Sequence, residues 1–217
     1  PAAIGVLAPG VELLTAYKPT TGRELYRMDV ATGNVTFIKD INPGPGGPSI
    51  QYVTIVNGLA FFQAFTASEG WELWRSDGTA AGTRLVKDIW PGMGGSYPAT
   101  FMQLHGVLYF GACSGVGACG LWRSDGTESG TTIIKPGLTV SSDSVPNGAE
   151  YGGRLYFSGA EAGGVGYELW STDGTMPGTV LVKDIFPGSS YGYPFSSSPG
   201  YLVVAGGALF FSARDTN

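Results

Sequence analysis

The residues able to do chemistry are few, and most of them recur on one spacing. No Gly-x-Ser-x-Gly elbow, phosphate-binding glycine loop or histidine cluster is present. The single histidine, His105, precedes Gly106, where a hairpin-turn residue is expected rather than a base. A glycosidase needs two carboxylates roughly 5–10 Å apart across a cleft. Glu72 and Glu168 occupy equivalent positions of a repeat, so they follow the fold and define no such pair. A sialidase-type site needs clustered arginines. Of Arg23, Arg27, Arg75, Arg84, Arg123, Arg154 and Arg214, several are locked to the repeat and so are spread apart. The sequence names no catalytic residue and no cofactor.

Metal chemistry fares little better. Asp77, Asp125 and Asp173 each open an Asp-Gly-Thr turn that invites a calcium reading. Calcium takes about six to eight oxygens; few other carboxylates lie nearby, and the D-x-D-x-D-G spacing is missing. The better reading is an Asx-turn, the aspartate accepting hydrogen bonds from the Gly and Thr amides that follow. Cys113 and Cys119 flank Ser114–Ala118. A hairpin there would set the sulfurs face to face, which predicts a local disulfide and an oxidising compartment. Two free, half-buried thiols are the alternative, and one histidine with one cysteine pair makes no zinc set.

Binding chemistry rests on aromatic rings. Trp74, Trp122 and Trp170 hold one place inside a predicted strand, which points to packing between sheets rather than to sugar stacking. Trp90, Tyr97, Phe186, Tyr191 and Tyr193 lie in or beside Pro-Gly-rich connections, where propeller-end loops carry binding. They are the candidates for a carbohydrate or protein contact. Asn34-Val35-Thr36 is a glycosylation sequon in a predicted turn, so a glycan at Asn34 is expected if a eukaryotic cell secretes the chain.

The elements that position these residues come from a repeat. Leu25, Leu73, Leu121 and Leu169 are spaced by 48 residues. Tyr26, Trp74, Trp122 and Trp170 keep that step, as do Asp29, Asp77, Asp125 and Asp173, and Lys39, Lys87, Lys135 and Lys183. Each copy reads as four short strands. One hairpin turns at Asn57-Gly58, His105-Gly106 or Gly206-Gly207, where both residues need positive φ. The other carries Glu-Leu-Trp, the Asp-Gly-Thr turn and a β-branched run ending Lys-Asp-Ile. In the third copy Pro136-Gly137 replaces Asp-Ile, so that outer strand is expected to end early. The Lys-Asp pairs Lys39-Asp40, Lys87-Asp88 and Lys183-Asp184 are expected to guard a sheet edge.

One four-stranded sheet cannot bury both its faces alone, so the copies must stack. A β-propeller does this; a linear solenoid uses shorter coils, about 20–30 residues. The predicted fold is all-β, a single partial propeller of antiparallel blades at 1–43, 44–91, 92–139 and 140–187, with a half-blade at 188–217, as part of a larger ring. A start at Pro1 and a stop at Asn217, before the next Glu-Leu-Trp, suggest processing or a longer parent. An open fragment of this kind would expose an apolar sheet face.

The run Glu-Leu-Trp-x-x-Asp-Gly-Thr-x-x-Gly-Thr-x-Leu-Val-Lys-Asp-Ile-x-Pro-Gly resembles the ELWxxDGT repeat family. The likeness covers nearly the whole chain, closely in copies two and four. It implies propeller repeats of secreted or surface proteins, and it gives no reaction. The Asp-Gly-Thr turn also resembles the Asp-box hairpin of sialidase-like propellers, which lies away from catalysis.

Composition limits the remaining classes. Apolar residues make up 43%, charged residues 13%, and the net charge is −5 without a basic cluster, which disfavours nucleic acid. No apolar run is long enough to span a membrane as a helix. The expectation is a non-enzymatic, extracellular structural or adhesion module. Its partners would be other chains of a surface assembly, or the remainder of its own propeller, with glycans a further candidate. A lectin-like propeller is the alternative, and a sialidase-like hydrolase ranks last.

Overall fold

A computed structural model describes residues 2–44, 46–141 and 148–215. Pro1 and Asn217, on which the expectation of an incomplete chain turned, lie outside them. The described residues form strands and turns with no helix, in antiparallel sheets. The first sheet is β1(Ala2–Ala8), β2(Val11–Lys18), β3(Gly22–Asp29) and β4(Val35–Lys39), in that order. The second is β5(Gln51–Val56), β6(Leu59–Thr66), β7(Gly70–Ser76) and β8(Arg84–Lys87). The third is β9(Ala99–Leu104), β10(Val107–Cys113), β11(Cys119–Ser124) and β12(Thr132–Pro136).

The fourth sheet departs from this plan. Its strand β15(Arg154–Glu161) pairs along one edge with two short strands, β13(Leu138–Val140) and β14(Gly148–Tyr151), each covering one end. β16(Glu168–Thr172) and β17(Val180–Lys183) complete it. Two hairpins follow: β18(Ser189–Ser190) with β19(Tyr193–Pro194), and β20(Gly200–Ala205) with β21(Ala208–Ser212).

The third outer strand does not end early as expected. β12 runs through Pro136, paired with Gly120, and β13 begins two residues later. Proline is tolerated there because it is the last residue of an outer strand, where no further ladder donor is required. Gly120 stands where the other copies carry glutamate. A Cβ on it would lie 2.6 Å from Ile133 Cδ1, so Ile133 fills the space of the missing side chain.

Local chemistry explains why the copies fold alike. The tight turns at Asn57-Gly58, His105-Gly106, Gly152-Gly153 and Gly206-Gly207 all have positive φ at both residues, matching the twist of the strands they join. The ladder between the Glu-Leu-Trp strand and the outer strand carries a bulge at one repeated place. Leu73 pairs with Lys87 and Trp74 with Leu85, skipping Val86; the same slip follows Leu25, Leu121 and Leu169. The skipped Ile38, Val86 and Ile134 are buried, so the bulge re-aims one apolar side chain inward.

The chain divides into two compact units, residues 1–98 with 113–115 and 126–131, and the remainder. In the first unit, Leu13 and Leu25 of the first sheet pack with Phe62 and Trp74 of the second. In the second unit, Leu121 and Ile134 pack with Leu155, Phe157 and Trp170. Cys113 and Cys119 are joined in a disulfide, the first of the two sequence alternatives.

Candidate functional site

Three repeated polar devices fix the frame. In the first, Asp77 Oδ1 accepts from the Thr79 amide (2.9 Å) and hydroxyl (2.7 Å), and Asp173 does the same with Thr175. This corrects the expected bonding in one respect. The Gly78 amide donates to Ser76 Oγ, not to Asp77. The aspartate turns its one oxygen onto Thr79, which leaves Gly78 to the preceding hydroxyl. Burial acts against ionisation of Asp77, but the Thr79 hydroxyl and amide hold its carboxyl below the ordinary value. A Cβ on Gly82 would fall 2.0 Å from that carboxylate, so glycine is required where the turn closes.

The second device corrects the role expected for the lysines. Lys39 Nζ donates to the Thr83 carbonyl (2.9 Å) and Lys87 Nζ to the Thr131 carbonyl (3.1 Å), each in the Asp-Gly-Thr loop of the following copy. They clamp copy to copy rather than guard an edge, because the stem is long enough to reach the next sheet. Lys135 pairs instead with Glu161 (3.0 Å) and lies over the Trp170 ring.

The third is a fully buried glutamate. Glu72 accepts from the amides of Ile89, Trp90 and Ser96 and from the Ser96 hydroxyl. Glu168 accepts from the Ile185 amide and from the Ser197 amide and hydroxyl. Burial pushes the Glu72 carboxyl up to about 6 against those donors. Among the described residues Glu24 accepts from the Ile41 amide alone, and its other oxygen is buried with no donor. Pro48 stands where the others have serine: its carbonyl accepts from Phe65 as that of Ser96 accepts from Cys113 and that of Ser197 from Arg214. Burial, with Asp40 alongside, raises Glu24 to about 7.

On this frame the fourth copy builds a cleft of about 510 Å³. One wall is the β15–β16 turn, Ala160 to Tyr167, rich in glycine; the other is the β18–β19 hairpin, with Tyr193 and Pro194. The base is anchored. Tyr167 N donates to Ser196 Oγ (3.0 Å) and Ser198 N to the Tyr167 carbonyl (2.9 Å). Phe186 and Phe195 stack at 4.7 Å. Gly166 abuts the Phe195 carbonyl so closely that no Cβ fits. On the hairpin wall Tyr193 is 78% exposed and Tyr191, at the turn, fully exposed.

The sequence candidates therefore separate. Tyr193 lines the cleft, Tyr191 tips its hairpin, and Phe186 stacks on Phe195, whose carbonyl abuts Gly166 of the cleft wall. Trp90 and Tyr97 belong to the first unit; the Trp90 indole lies against Gly94. Trp74, Trp122 and Trp170 are buried, and Trp122 Nε1 donates to the Ala112 carbonyl. Asn34 is exposed in the β3–β4 turn. Among the described residues no group of three or more His, Cys, Asp or Glu could share a metal ion. Glu161 and Tyr167 escaped the sequence reading. The signal was the spacing from glutamate to serine: 24 residues at Glu72–Ser96, but 29 at Glu168–Ser197.

No family model matches this sequence, and no curated protein is significantly similar to it. Solved structures do share the fold. The chain is similar to puromycin hydrolase, as a variant complexed with PGG (TM-score 0.57, 16% identity, 98% of this chain and 33% of that chain). A second puromycin hydrolase structure gives a TM-score of 0.57 at 15% identity over the same shares. The chain thus spans about a third of the length of the hydrolase it matches. An α-L-arabinofuranosidase from Clostridium thermocellum aligns at a TM-score of 0.34 and 14% identity, over 97% of this chain and 80% of that one, a likeness too low to carry an argument.

This corrects the structural or adhesion role expected from the sequence in one respect: the fold is one that a hydrolase also has, a likeness of fold alone. Residues locked to the repeat report the scaffold, and function on a shared scaffold is set by its irregular connections.

Proposed function

We propose that this chain is the substrate-holding part of a hydrolase, its sheets serving as blades of a β-propeller, and that the cleft beside Tyr193 holds a saccharide. The observation that carries the reading is the cleft itself. It has two walls tied by a hydrogen bond from Tyr167 N to Ser196 Oγ, an exposed tyrosine face and a run of glycines whose backbone groups a ligand can approach. A concave site with an aromatic face and a few fixed polar groups is how small polar ligands are held. Among the described residues Glu161 is the one carboxylate lining the cleft, and it is held by Lys135, which suits it to accept ligand hydroxyls. Likeness to a hydrolase and a disulfide of the kind kept in oxidising compartments support an enzyme-associated, extracellular setting.

The test is titration calorimetry of the 217-residue chain with cello-, xylo-, manno- and chito-oligosaccharides. At least one should bind saturably. Tyr193→Ala should weaken that binding roughly tenfold, the equivalent of about 1.4 kcal/mol, and Glu161→Gln several-fold. No saturable binding by any series, or unchanged affinity in Tyr193→Ala, would refute the proposal.

A further inference from the structure

The last hairpin presents an interaction surface. In the first three sheets the strand that follows the tight turn is flanked on its far side by the Glu-Leu-Trp strand; in the fourth, β15 is flanked by β16. Strand β21 is the equivalent of β6, β10 and β15, and among the described residues it pairs with β20 alone. Phe211 occupies the place of Phe62, Phe110 and Phe157, four residues past the turn glycine. Those three are fully buried, with Phe62 opposite Trp74 and Phe157 opposite Trp170. Phe211 is 37% exposed.

Two observations on a different strand point to the same kind of partner. Val182 is the residue skipped by the bulge in the fourth copy. Its counterparts Ile38, Val86 and Ile134 are buried, yet Val182 is 46% exposed. Lys183 is the counterpart of Lys39 and Lys87, which donate to threonine carbonyls of the following Asp-Gly-Thr loop. Lys183 is exposed and makes no such bond among the described residues. The backbone meanwhile leaves β21 along the repeated path: Arg214 N donates to the Ser197 carbonyl as Cys113 N does to that of Ser96.

We infer that the β21 edge, with Val182 and Lys183, is an acceptor for a polypeptide hairpin of the Glu-Leu-Trp-x-x-Asp-Gly-Thr-x-x-Gly-Thr type. The strand would add to β21 through main-chain hydrogen bonds. Its tryptophan would cover Phe211, its apolar run would cover Val182, and its second threonine carbonyl would take Lys183. The occupant is named by these complementary features together; a generic apolar partner would satisfy neither the lysine nor the strand edge.

A synthetic peptide with the sequence of residues 71–87 tests this. The 217-residue chain should bind it saturably at one site, with a blue shift of peptide tryptophan fluorescence. Lys183→Ala and Val182→Asp alter exposed side chains and should each weaken binding at least fivefold while leaving thermal unfolding of the free chain unchanged. A peptide of the same composition in permuted order should not bind. The inference is overturned if neither peptide binds, if both bind alike, or if the two substitutions leave affinity unchanged. It is equally overturned if sedimentation shows a second copy of the chain occupying this face and excluding the peptide.

Discussion

Replacing Glu24 with glutamine should stabilise this protein at alkaline pH, whereas the same replacement at Glu72 should destabilise it. Both glutamates are fully buried at one repeat position. Glu72 is ringed by four donors, and Glu24 receives one and faces Asp40. The Glu24 carboxyl is raised from 4.5 to about 7. A folded-state value above the unfolded one means that the folded chain binds more protons between pH 4.5 and 7. Stability is therefore highest below that window and falls as pH rises through it. The shift corresponds to roughly 3–4 kcal/mol at most, which screening by nearby solvent brings to about 1–2 kcal/mol. Glutamine keeps an acceptor for the Ile41 amide and offers a donor toward Asp40 Oδ1, which is buried and unpartnered. Urea unfolding at pH 8 should show Glu24→Gln more stable than the parent by about 1–2 kcal/mol, with near equality at pH 4.5. Glu72→Gln should lose about 2–3 kcal/mol at pH 8, because its amide nitrogen must face a backbone donor. If Glu24→Gln were less stable at pH 8, or if its pH slope matched the parent's, the account of a donor-starved carboxyl would be wrong.

Two further outcomes follow from the frame. Gly82→Ala should cost about 2–3 kcal/mol by driving its Cβ into the Asp77 carboxylate, and much of that cost should vanish in an Asp77→Ala background; additive effects in the thermal-unfolding cycle would contradict the contact. Reducing the Cys113–Cys119 disulfide should cost about 2 kcal/mol, as expected for so short a loop, and lower the melting temperature. The Cys113→Ser/Cys119→Ser double variant should melt at one temperature with or without reductant.

What the sequence made legible was short-range chemistry. The positive-φ turns and the Asp-Gly-Thr turn depend on residues within a few positions of one another, and the 48-residue step is a recurrence of those local patterns, so residue types and spacing suffice to read them. Lys39 and Lys87 were misread because their partners are threonine carbonyls 44 residues away, and a backbone acceptor leaves no mark on residue type. Pro136 was misread because its effect depends on whether an outer strand still needs a donor, which is a property of the sheet. The cleft was half legible. Tyr193 stood out as an irregular aromatic, but Glu161 and Tyr167 reach it only because an insertion folds back over their turn.

The buried glutamate links that insertion to the repeat. Where Glu72 and Glu168 are present, their carboxylates gather amides from the chain after the outer strand and hold that connection on the sheet. Where Gly120 replaces glutamate, Asp-Ile is replaced by Pro-Gly, and the chain passes without a wide connection into β13. The two changes belong together: without the carboxylate, the amides of a wide connection would have no buried acceptor. In the fourth copy the glutamate is kept and the connection is five residues longer, as the 24- and 29-residue spacings record. Glu168 holds Ser197 at the foot of the added hairpin, and Ser196, its neighbour, holds Tyr167 across the cleft. A repeated carboxylate that elsewhere only closes a loop here sets the base of a site. Lengthening the connection above that anchor changes what the site can hold without disturbing the sheets beneath.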